Sequence, residues 1–199
     1  MRRIVLIDGE NLVYGLRILL GENGDRAPRS AIANFNFRGL IEELLADNPP
    51  SEILWFGARL RLYEQSDELK RKSSEAIKMQ SSFMNVVQSQ KIHFIKVGYL
   101  RARESDPCVQ CQHQAWKLAE KGVDVGLAVR MVTEANQGIE IAVISADTDL
   151  LPAFSAASKL GAKIIHIGYE SSLIHALIRA SDKSRTISLP LAQKYQKTG

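Results

Sequence analysis

Cysteine and long apolar runs are scarce in this chain of 199 residues. Two cysteines cannot build the disulfide framework that stabilises many small secreted domains. The longest apolar stretches, such as residues 4–7 and 139–144, have the length of a strand and fall well short of the ~18 residues typical of a transmembrane helix. The N-terminus also lacks the apolar region and cleavage site of a secretory signal. We therefore expect a cytoplasmic protein without a membrane partner.

Neither positive nor negative charge dominates the sequence. Lysine and arginine number 26 against 22 aspartates and glutamates, which gives a formal net charge of +4. This mild excess permits a polyanionic partner but does not require one. With 45% hydrophobic residues, the composition is that of an ordinary globular protein and excludes a disordered chain or a collagen-like repeat.

Apolar runs of strand length alternate with helical segments along the chain. The predicted strands cover residues 3–8, 52–57, 92–98, 139–145 and 163–168, with an edge strand at 186–189, and the predicted helices cover 11–20, 37–46, 67–90, 116–136, 149–160 and 171–180. Continuously apolar strands are typical of a parallel sheet buried on both faces. The alternation predicts an α/β fold with helices on both faces of the sheet. We expect an irregular segment at 100–112, a single domain over 1–190 and a frayed tail over 191–199.

Three separated segments carry acids where functional sites of such folds are found. The first predicted strand ends at Asp8, the fourth is followed by Asp147 and Asp149, and Asp124 lies near the start of the preceding helix. The functional site of an open α/β sheet lies at the carboxyl ends of its strands. We therefore expect these four carboxylates at one edge, where a hard divalent cation would relieve their repulsion.

Each of these acids also has a purely structural interpretation. Asp8 can accept hydrogen bonds from backbone amides at a strand end. Asp147 can cap a helix N-terminus, and Asp149 can complement the helix dipole. Asp124 can face solvent if its helix begins later than expected. The convergence of all four at one edge favours a shared acidic site.

The motifs around these acids resemble those of the NYN domain. They are Asp-Gly-Glu-Asn-Leu at 8–12, Lys-Gly-Val-Asp-Val-Gly-Leu-Ala-Val at 121–129, Ser-Ala-Asp-Thr-Asp-Leu-Leu-Pro at 145–152 and Gly-Ala-Lys at 161–163. The resemblance extends from residue 4 to about residue 180. The NYN family includes the LabA-like (DUF88) proteins and is a branch of the PIN-like nucleases.

The resemblance implies a Rossmann-like α/β/α sandwich with a central, mostly parallel sheet. It also implies a metal-dependent ribonuclease that hydrolyses RNA phosphodiester bonds with Mg²⁺ or Mn²⁺. The residues that match the family's acidic metal-binding positions and its asparagine are Asp8, Asn11, Asp124, Asp147 and Asp149.

The chain departs from the family pattern at three positions. Ala146 and Thr148 stand where the third motif usually has glycine and serine, and Arg130 stands where the helix motif often has another aspartate. Thr148 keeps a hydroxyl group. Arg130 lies about two turns beyond Asp124, which is expected to place it outside the metal site. The absence of an aspartate at this position is nevertheless compatible with weaker metal binding.

The proposed chemistry assigns a role to each residue of the acidic edge. Phosphodiester hydrolysis needs an activated water and relief of charge in the transition state, and one or two divalent ions supply both. Mg²⁺ needs only one or two direct carboxylates, so we expect Asp8 and Asp147 as direct ligands and the other two aspartates as direct or water-mediated ones. Asn11 would orient a water or a substrate phosphate, and Ser145 and Thr148 would orient the ligands.

The four histidines are scattered and form no nucleophile–base arrangement with serine or cysteine at this edge. His93 and His166 lie within apolar strands and are expected to be core residues. A metal-free ribonuclease that depends on histidine is therefore disfavoured.

Basic residues follow two predicted strands at the same edge. They are Arg59 and Arg61 after the second strand and Arg101 and Arg103 after the third. These arginines can bind the phosphates of a single RNA strand, with Tyr63 and Tyr99 available for base stacking. The alternative is that they are solvated loop charges beside half-buried rings.

Cys108 and Cys111 form a C-x-x-C pair that is followed by His113. This spacing can bind zinc, and a structural site would need a fourth ligand from His175, an acid or a partner subunit. A redox pair, or two thiols that only fix a loop, are the alternatives.

Two other functions stay open from the sequence. A non-catalytic RNA-binding or scaffold module would retain the acidic pocket without turnover, and Arg130 is its best support. A small-molecule phosphohydrolase is the third candidate, but Gly9 and Glu10 follow Asp8 where aspartyl-phosphate enzymes have Asp-x-Asp. A homodimer is a further expectation for so small an RNA enzyme, although the sequence shows no self-complementary surface.

Overall fold

Strands and helices alternate along the computed structural model, which describes residues 1–107, 109–111 and 114–196. The strands are β1 (Arg2–Asp8), β2 (Glu52–Arg59), β3 (His93–Glu104), β4 (Trp116–Lys121), β5 (Ile139–Ile144), β6 (Lys163–Tyr169) and β7 (Lys183–Ile187). The helices are α1 (Gly9–Leu19), α2 (Phe37–Leu44), α3 (Asp67–Ser89), α4 (Val123–Glu134), α5 (Leu151–Lys159), α6 (His175–Arg179) and α7 (Leu189–Tyr195). Short 3-10 turns lie at Arg29–Ile32 and Thr148–Leu150.

The seven strands form one sheet in the order β4-β3-β2-β1-β5-β6-β7. All neighbouring pairs are parallel except β3 and β4, which are antiparallel. The chain adds β2, β3 and β4 on one side of β1 and then returns to place β5 on the other side. The point where the strand order reverses therefore lies between β1 and β5, which is where ligand sites of such sheets form. The predicted α/β fold with a mostly parallel sheet is confirmed.

Apolar layers cover both faces of the sheet. Val5 and Ile7 of β1 belong to a core that includes residues of α1, α2 and α7, whereas Ile4 and Leu6 belong to a core with residues of α4 and α5. All four side chains are fully buried. Burial of each such side chain contributes about 1.5–3 kcal/mol, so the central strand anchors both layers.

The segment between β3 and α4 differs from the prediction. Residues 116–121 form a strand rather than the start of a helix, and β3 continues to Glu104 through the segment expected to be irregular. In this strand Leu118 packs inward while Lys117 and Lys121 are exposed, which is a period of two rather than of 3.6. Gly122 adopts a φ of +79° directly before α4, and this left-handed residue ends the strand.

The C-terminal segment also differs from the prediction. Residues 191–195 are not frayed but belong to α7, whose N-terminus is capped by Ser188. Ala192 is buried, and Tyr195 packs against the core beside α2. The predicted edge strand is confirmed as β7, a few residues earlier than expected. No helix in the ranges that the structure describes is long and apolar enough to cross a membrane.

Candidate functional site

Asp8 is the last residue of β1 and caps the N-terminus of α1. One carboxylate oxygen accepts a hydrogen bond from the backbone N–H of Asn11 at 3.2 Å, and the other accepts one from the Ser145 hydroxyl at 3.1 Å. Burial raises the pKa of Asp8; these hydrogen bonds counteract that rise, whereas the charges of Asp147 and Asp124 add to it. An ionised Asp8 is therefore electrostatically unfavourable unless a cation is near.

The turn after Asp8 requires glycine. A Cβ atom on Gly9 would lie 2.6 Å from the carbonyl oxygen of Phe56 and would also overlap the Trp55 side chain. Only glycine lets α1 begin this close to β2, and the close approach fixes Asp8 at the end of its strand.

The segment after β5 is tied to both Asp8 and Asn11. The Ser145 hydroxyl, which donates to Asp8, also accepts a hydrogen bond from the backbone N–H of Asp147 at 3.1 Å. The side-chain oxygen of Asn11 accepts one from the backbone N–H of Ala146 at 3.0 Å. Asn11 therefore joins α1 to this loop, and its Nδ2 amide is the group that can donate to a ligand.

The other three aspartates lie in two settings. Asp147 is half-buried and caps the 3-10 turn, since its Oδ1 accepts from the backbone N–H of Asp149 at 2.9 Å. Asp124 is half-buried in the first turn of α4, and its charge and that of Asp147 both act on Asp8. Asp149 is exposed on the turn, as is Thr148. The structure thus groups Asp8, Asp124 and Asp147 and places Asp149 at the rim.

Oxygen ligands at this edge suit a hydrated hard cation. In the described part of the chain, no three His, Cys, Asp or Glu residues are arranged so that they could together hold a metal ion. Mg²⁺ keeps several waters and is commonly bound through one or two carboxylates, so a complete protein cage is not required. The mutual repulsion at Asp8 and the hard carboxylate ligands fit such an ion.

Glu120 is an acid of this site that the sequence analysis missed. It is the next-to-last residue of β4 and is half-buried. Burial and the charges of Glu10 and Asp8 raise its pKa to about 7, although a hydrogen bond from the backbone of Ala58 counteracts them. The alternation of residues 116–121 was the signal that could have placed Glu120 on a strand.

A cleft of about 1060 Å³ opens beside the acidic edge, between α1 and α3. Glu10 and Glu120 are among its lining residues, and Arg29 pairs with Glu10 at 2.9 Å. Its walls include the aromatic side chains of Phe83 and Phe94. The cleft is large enough for part of a nucleotide chain and combines apolar walls with a few charged groups.

The four predicted RNA-binding arginines have different surroundings. Nε of Arg59 donates to the carbonyl oxygen of Lys96 at 3.1 Å, and the guanidinium of Arg61 lies 4.5 Å from the centre of the Tyr63 ring. Arg101 and Arg103 are exposed on β3 beyond the end of β2.

The two tyrosines proposed for base stacking also differ. Tyr63 is buried, and its hydroxyl donates to the carbonyl oxygen of Leu100 at 2.6 Å, so the expectation that it stacks on bases is wrong. Tyr99 is 54% exposed and remains available.

Arg130 lies far from the acidic edge. Its guanidinium pairs with Glu134 at 2.7 Å and approaches Glu52 at 4.0 Å, and Glu52 is the first residue of β2. The substitution in the helix motif therefore falls at the opposite edge of the sheet from Asp8.

His166 is buried, as expected, whereas His93 is exposed, so the prediction of a core position for His93 is wrong. Nε2 of His166 lies 2.9 Å from the carbonyl oxygen of Ser145, and burial lowers the pKa of its ring. A neutral His166 that donates this hydrogen bond holds in place the residue that contacts Asp8.

The predicted zinc ligands Cys108 and His113 lie outside the described residues. The thiol of Cys111 is exposed. The zinc site, like the homodimer, stays a prediction.

The fold and the acidic edge define an α/β protein with a carboxylate site at its topological switch point. The family model of the NYN domain matches residues 2–189. The chain therefore belongs to the NYN-domain family, which is generally a family of nucleases.

Solved structures support the fold alone. A protein of unknown function from Vibrio parahaemolyticus superposes with a TM-score of 0.56 at 12% identity, over 94% of this chain and 93% of that chain. A point mutant of phosphofructokinase-2 from Escherichia coli gives a TM-score of 0.40 at 10% identity over 89% of this chain and 57% of that chain, which is too low to bear on function. No protein with a curated description matches the chain.

Proposed function

We propose that this NYN-domain protein is a ribonuclease that uses Mg²⁺ or Mn²⁺ to hydrolyse RNA phosphodiester bonds at the edge formed by Asp8, Asp124 and Asp147. The observation that carries the proposal is the environment of Asp8. Its carboxylate is partly buried and is held by Ser145 and the backbone of Asn11, and its pKa is raised by burial and, to a smaller extent, by the charges of Asp147 and Asp124. Such a group of acids is stabilised by a cation from outside the chain.

Each residue of the edge has a role in this proposal. Asp8 and Asp147 would hold the cation directly, and Asp124 and Asp149 would hold its waters. When bound, the cation lowers the pKa of a bound water and stabilises charge on the phosphate. Ser145 keeps Asp8 in place, and the Nδ2 amide of Asn11 would donate to a phosphate oxygen.

The proposed subfamily rests on sequence motifs, and the proposed substrate rests on charge. The motifs at residues 121–129 and 145–152 support a place in the LabA-like (DUF88) branch of the PIN-like nucleases. The excess of lysine and arginine and the exposed Arg101 and Arg103 support RNA as the substrate.

Cleavage of a 5′-labelled single-stranded RNA in Mn²⁺, in Mg²⁺ and in EDTA tests the proposal. We expect metal-dependent cleavage by the wild type and a loss of more than ~100-fold in Asp147→Asn, since changing residues that only orient metal ligands already costs 10–100-fold. The matched control is Asp67→Asn, which removes an exposed aspartate at the start of α3. It should cleave like the wild type.

Equal cleavage by Asp147→Asn and the control, or cleavage that persists in EDTA, would contradict the proposal. The second candidate is a non-catalytic RNA-binding module. It is favoured by the lack, in the described ranges, of three residues that could together hold a metal ion. Gel shifts of the same RNA by both variants, without cleavage in either metal, would support this alternative.

A further inference from the structure

The last part of β3 and the whole of β4 form a two-stranded ribbon at the carboxyl edge of the sheet. β2 ends at Arg59, which pairs with Tyr99, and within the described ranges β3 then continues with β4 as its partner. We define the ribbon as residues 99–104 and 116–121. An isolated two-stranded ribbon is marginally stable in water, so one of its faces must be packed.

One face of the ribbon is packed against α3. Leu100 is buried with Tyr63 of the preceding loop and Leu69 of α3, and Leu118 joins the same cluster. The Tyr63 hydroxyl binds the β3 strand of the ribbon, since it donates to the carbonyl oxygen of Leu100 and accepts from the backbone N–H of Ala102. These contacts hold the ribbon without any contribution from its other face.

The other face is basic, and within these described residues it carries no acid. Because residues directly opposite in an antiparallel pair point to the same side, the register places Tyr99 beside Lys121, Arg101 beside Ala119 and Arg103 beside Lys117. The four cations and Tyr99 are exposed. Among the described residues, none of these four cations forms an ion pair with an acid.

This arrangement is unfavourable for the isolated protein. Like charges directly opposite in a sheet are destabilising, and Arg103 faces Lys117 in this way. Lysine on an edge strand also prevents aggregation, but that role needs neither the arginines nor a like-charge pair. A polyanion on this face would remove the repulsion.

We propose that this basic face binds the backbone of single-stranded RNA and guides it to the acidic edge, an inference that rests on the proposed function. Arg101 and Arg103 stand two residues apart, about 6.6 Å along the strand, so they can contact different phosphates. Lys121 is the last residue of β4, and Asp124 lies three residues later in the first turn of α4, so this end of the face adjoins the acidic edge. Tyr99 offers an exposed ring for a base.

Binding of a fluorescent single-stranded RNA, measured by anisotropy in EDTA over a range of salt, tests the proposal. The variant is Arg101→Gln, Arg103→Gln, Lys117→Gln and Lys121→Gln combined. Each phosphate contact on a single strand contributes ~0.7 to the slope of log affinity against log salt, so losing four should reduce it by about 2.8. We also expect affinity at low salt to fall by at least tenfold.

The controls distinguish an effect of this surface on RNA binding from a general effect of positive charge and from an effect on catalysis. Lys117→Gln with Lys121→Gln is compared with Lys159→Gln and Lys163→Gln, which removes two exposed lysines at the α5–β6 junction. Cleavage assays in Mn²⁺ should show a raised KM for a long RNA and an unchanged kcat for the ribbon variant, with no effect on a trinucleotide.

An unchanged salt slope in the four-fold variant, equal losses in the two lysine pairs, or preferential binding of duplex RNA would each overturn the proposal. If wild type binds RNA through the ribbon but cleaves none, the ribbon stands and the ribonuclease proposal fails. If it cleaves RNA with no contribution from the ribbon, the ribonuclease proposal stands and the ribbon proposal fails.

Discussion

Carboxylates lie at both ends of the parallel strands, which we call the amino edge and the carboxyl edge of the sheet. The surroundings of these carboxylates differ between the two edges. At the amino edge, the fully buried guanidinium of Arg3 pairs with Glu140 at 2.7 Å and with Asp47 at 3.0 Å, and it donates further to the carbonyl oxygen of Asn48. Lys183 approaches the same two acids. At the carboxyl edge, the charges of Asp124 and Asp147 act on Asp8, and the hydrogen bonds that Asp8 accepts within the described residues come from neutral donors.

The pKa values of the two sets shift in opposite directions. The hydrogen bond from Arg3 lowers the pKa of Asp47 to about 2. Burial alone would raise the pKa of Glu140, but hydrogen bonds from Asn48 and Arg3 lower it below its usual value. Burial and neighbouring acids raise the pKa of Asp8 and bring that of Glu120 to about 7. Where the chain supplies a strong counter-charge, the charged acids stabilise the fold; where that counter-charge is weak, their charged forms carry a cost.

The two edges therefore contribute to stability over different pH ranges. The lowered pKa values of Asp47 and Glu140 give stability that is present above their unfolded values, near 3.8 and 4.5, and is lost as the pH falls towards 2. The raised pKa values of Asp8 and Glu120 have the opposite sign. Their cost is absent at low pH and appears as the pH rises above those unfolded values.

Replacing Arg3 should break the amino edge and have the largest effect on stability. Removing one partner of a buried pair leaves an uncompensated charge and costs about 3–5 kcal/mol. We expect Arg3→Met to lose this much in urea unfolding at pH 7. Arg2→Met is the control, because Arg2 is 52% exposed and surface pairs of this kind contribute about 0–1 kcal/mol. Equal losses in the two variants would show that the buried network is not what stabilises this edge.

Replacing Asp8 should have little effect on stability but should abolish activity. Asp8→Asn removes a carboxylate that the fold holds at a cost, so its free energy of unfolding without metal should stay within about 1 kcal/mol of the wild type or exceed it. RNA cleavage should fall by more than ~100-fold, since changing residues that only orient metal ligands already costs 10–100-fold.

The same variant should lose stabilisation by divalent cations. In the wild type, Mn²⁺ at several times its dissociation constant should add about 1 kcal/mol, because ligands that bind only the folded state stabilise it by mass action. Thermal unfolding with and without Mn²⁺ measures the difference. A variant that unfolds as early as Arg3→Met, or that keeps the full response to Mn²⁺, would remove the distinction between the edges.

The sequence was sufficient for the fold and for the edge of the sheet at which the candidate acids lie. Continuous apolar strands that alternate with helices predicted the parallel sheet, and acids at the ends of β1 and β5 predicted the edge at which Asp8 contacts the segment after β5. Both signals are local, since they depend on which residues follow a buried strand. The family resemblance then added the expected chemistry.

The amino edge could not be predicted in this way. Arg3 pairs with Asp47 and Glu140, which lie 44 and 137 residues away in the chain, and nothing in a local pattern connects them. The ribbon was missed for a different reason. Residues 116–121 comprise three charged and three apolar side chains, and a single glycine between them and α4 does not by itself interrupt a helical pattern.

Replacing Glu120, the acid hidden by that error, should give the smallest effect and the sharpest test of the carboxyl edge. Because the pKa of Glu120 rises from 4.5 to about 7, the folded state is penalised progressively between these pH values and fully above them. Glu120→Gln should therefore gain stability relative to the wild type as the pH rises from 4 to 8. We expect a gain below about 1 kcal/mol, because the side chain is partly exposed and solvent screens its charge. Urea unfolding at both pH values measures it, with Glu75→Gln on the exposed face of α3 as the control. A loss of stability at pH 8 would mean that the charge of Arg29, which lowers the pKa of Glu120, outweighs the effect of burial, and that the carboxyl edge is not as uncompensated as the shift at Asp8 indicates.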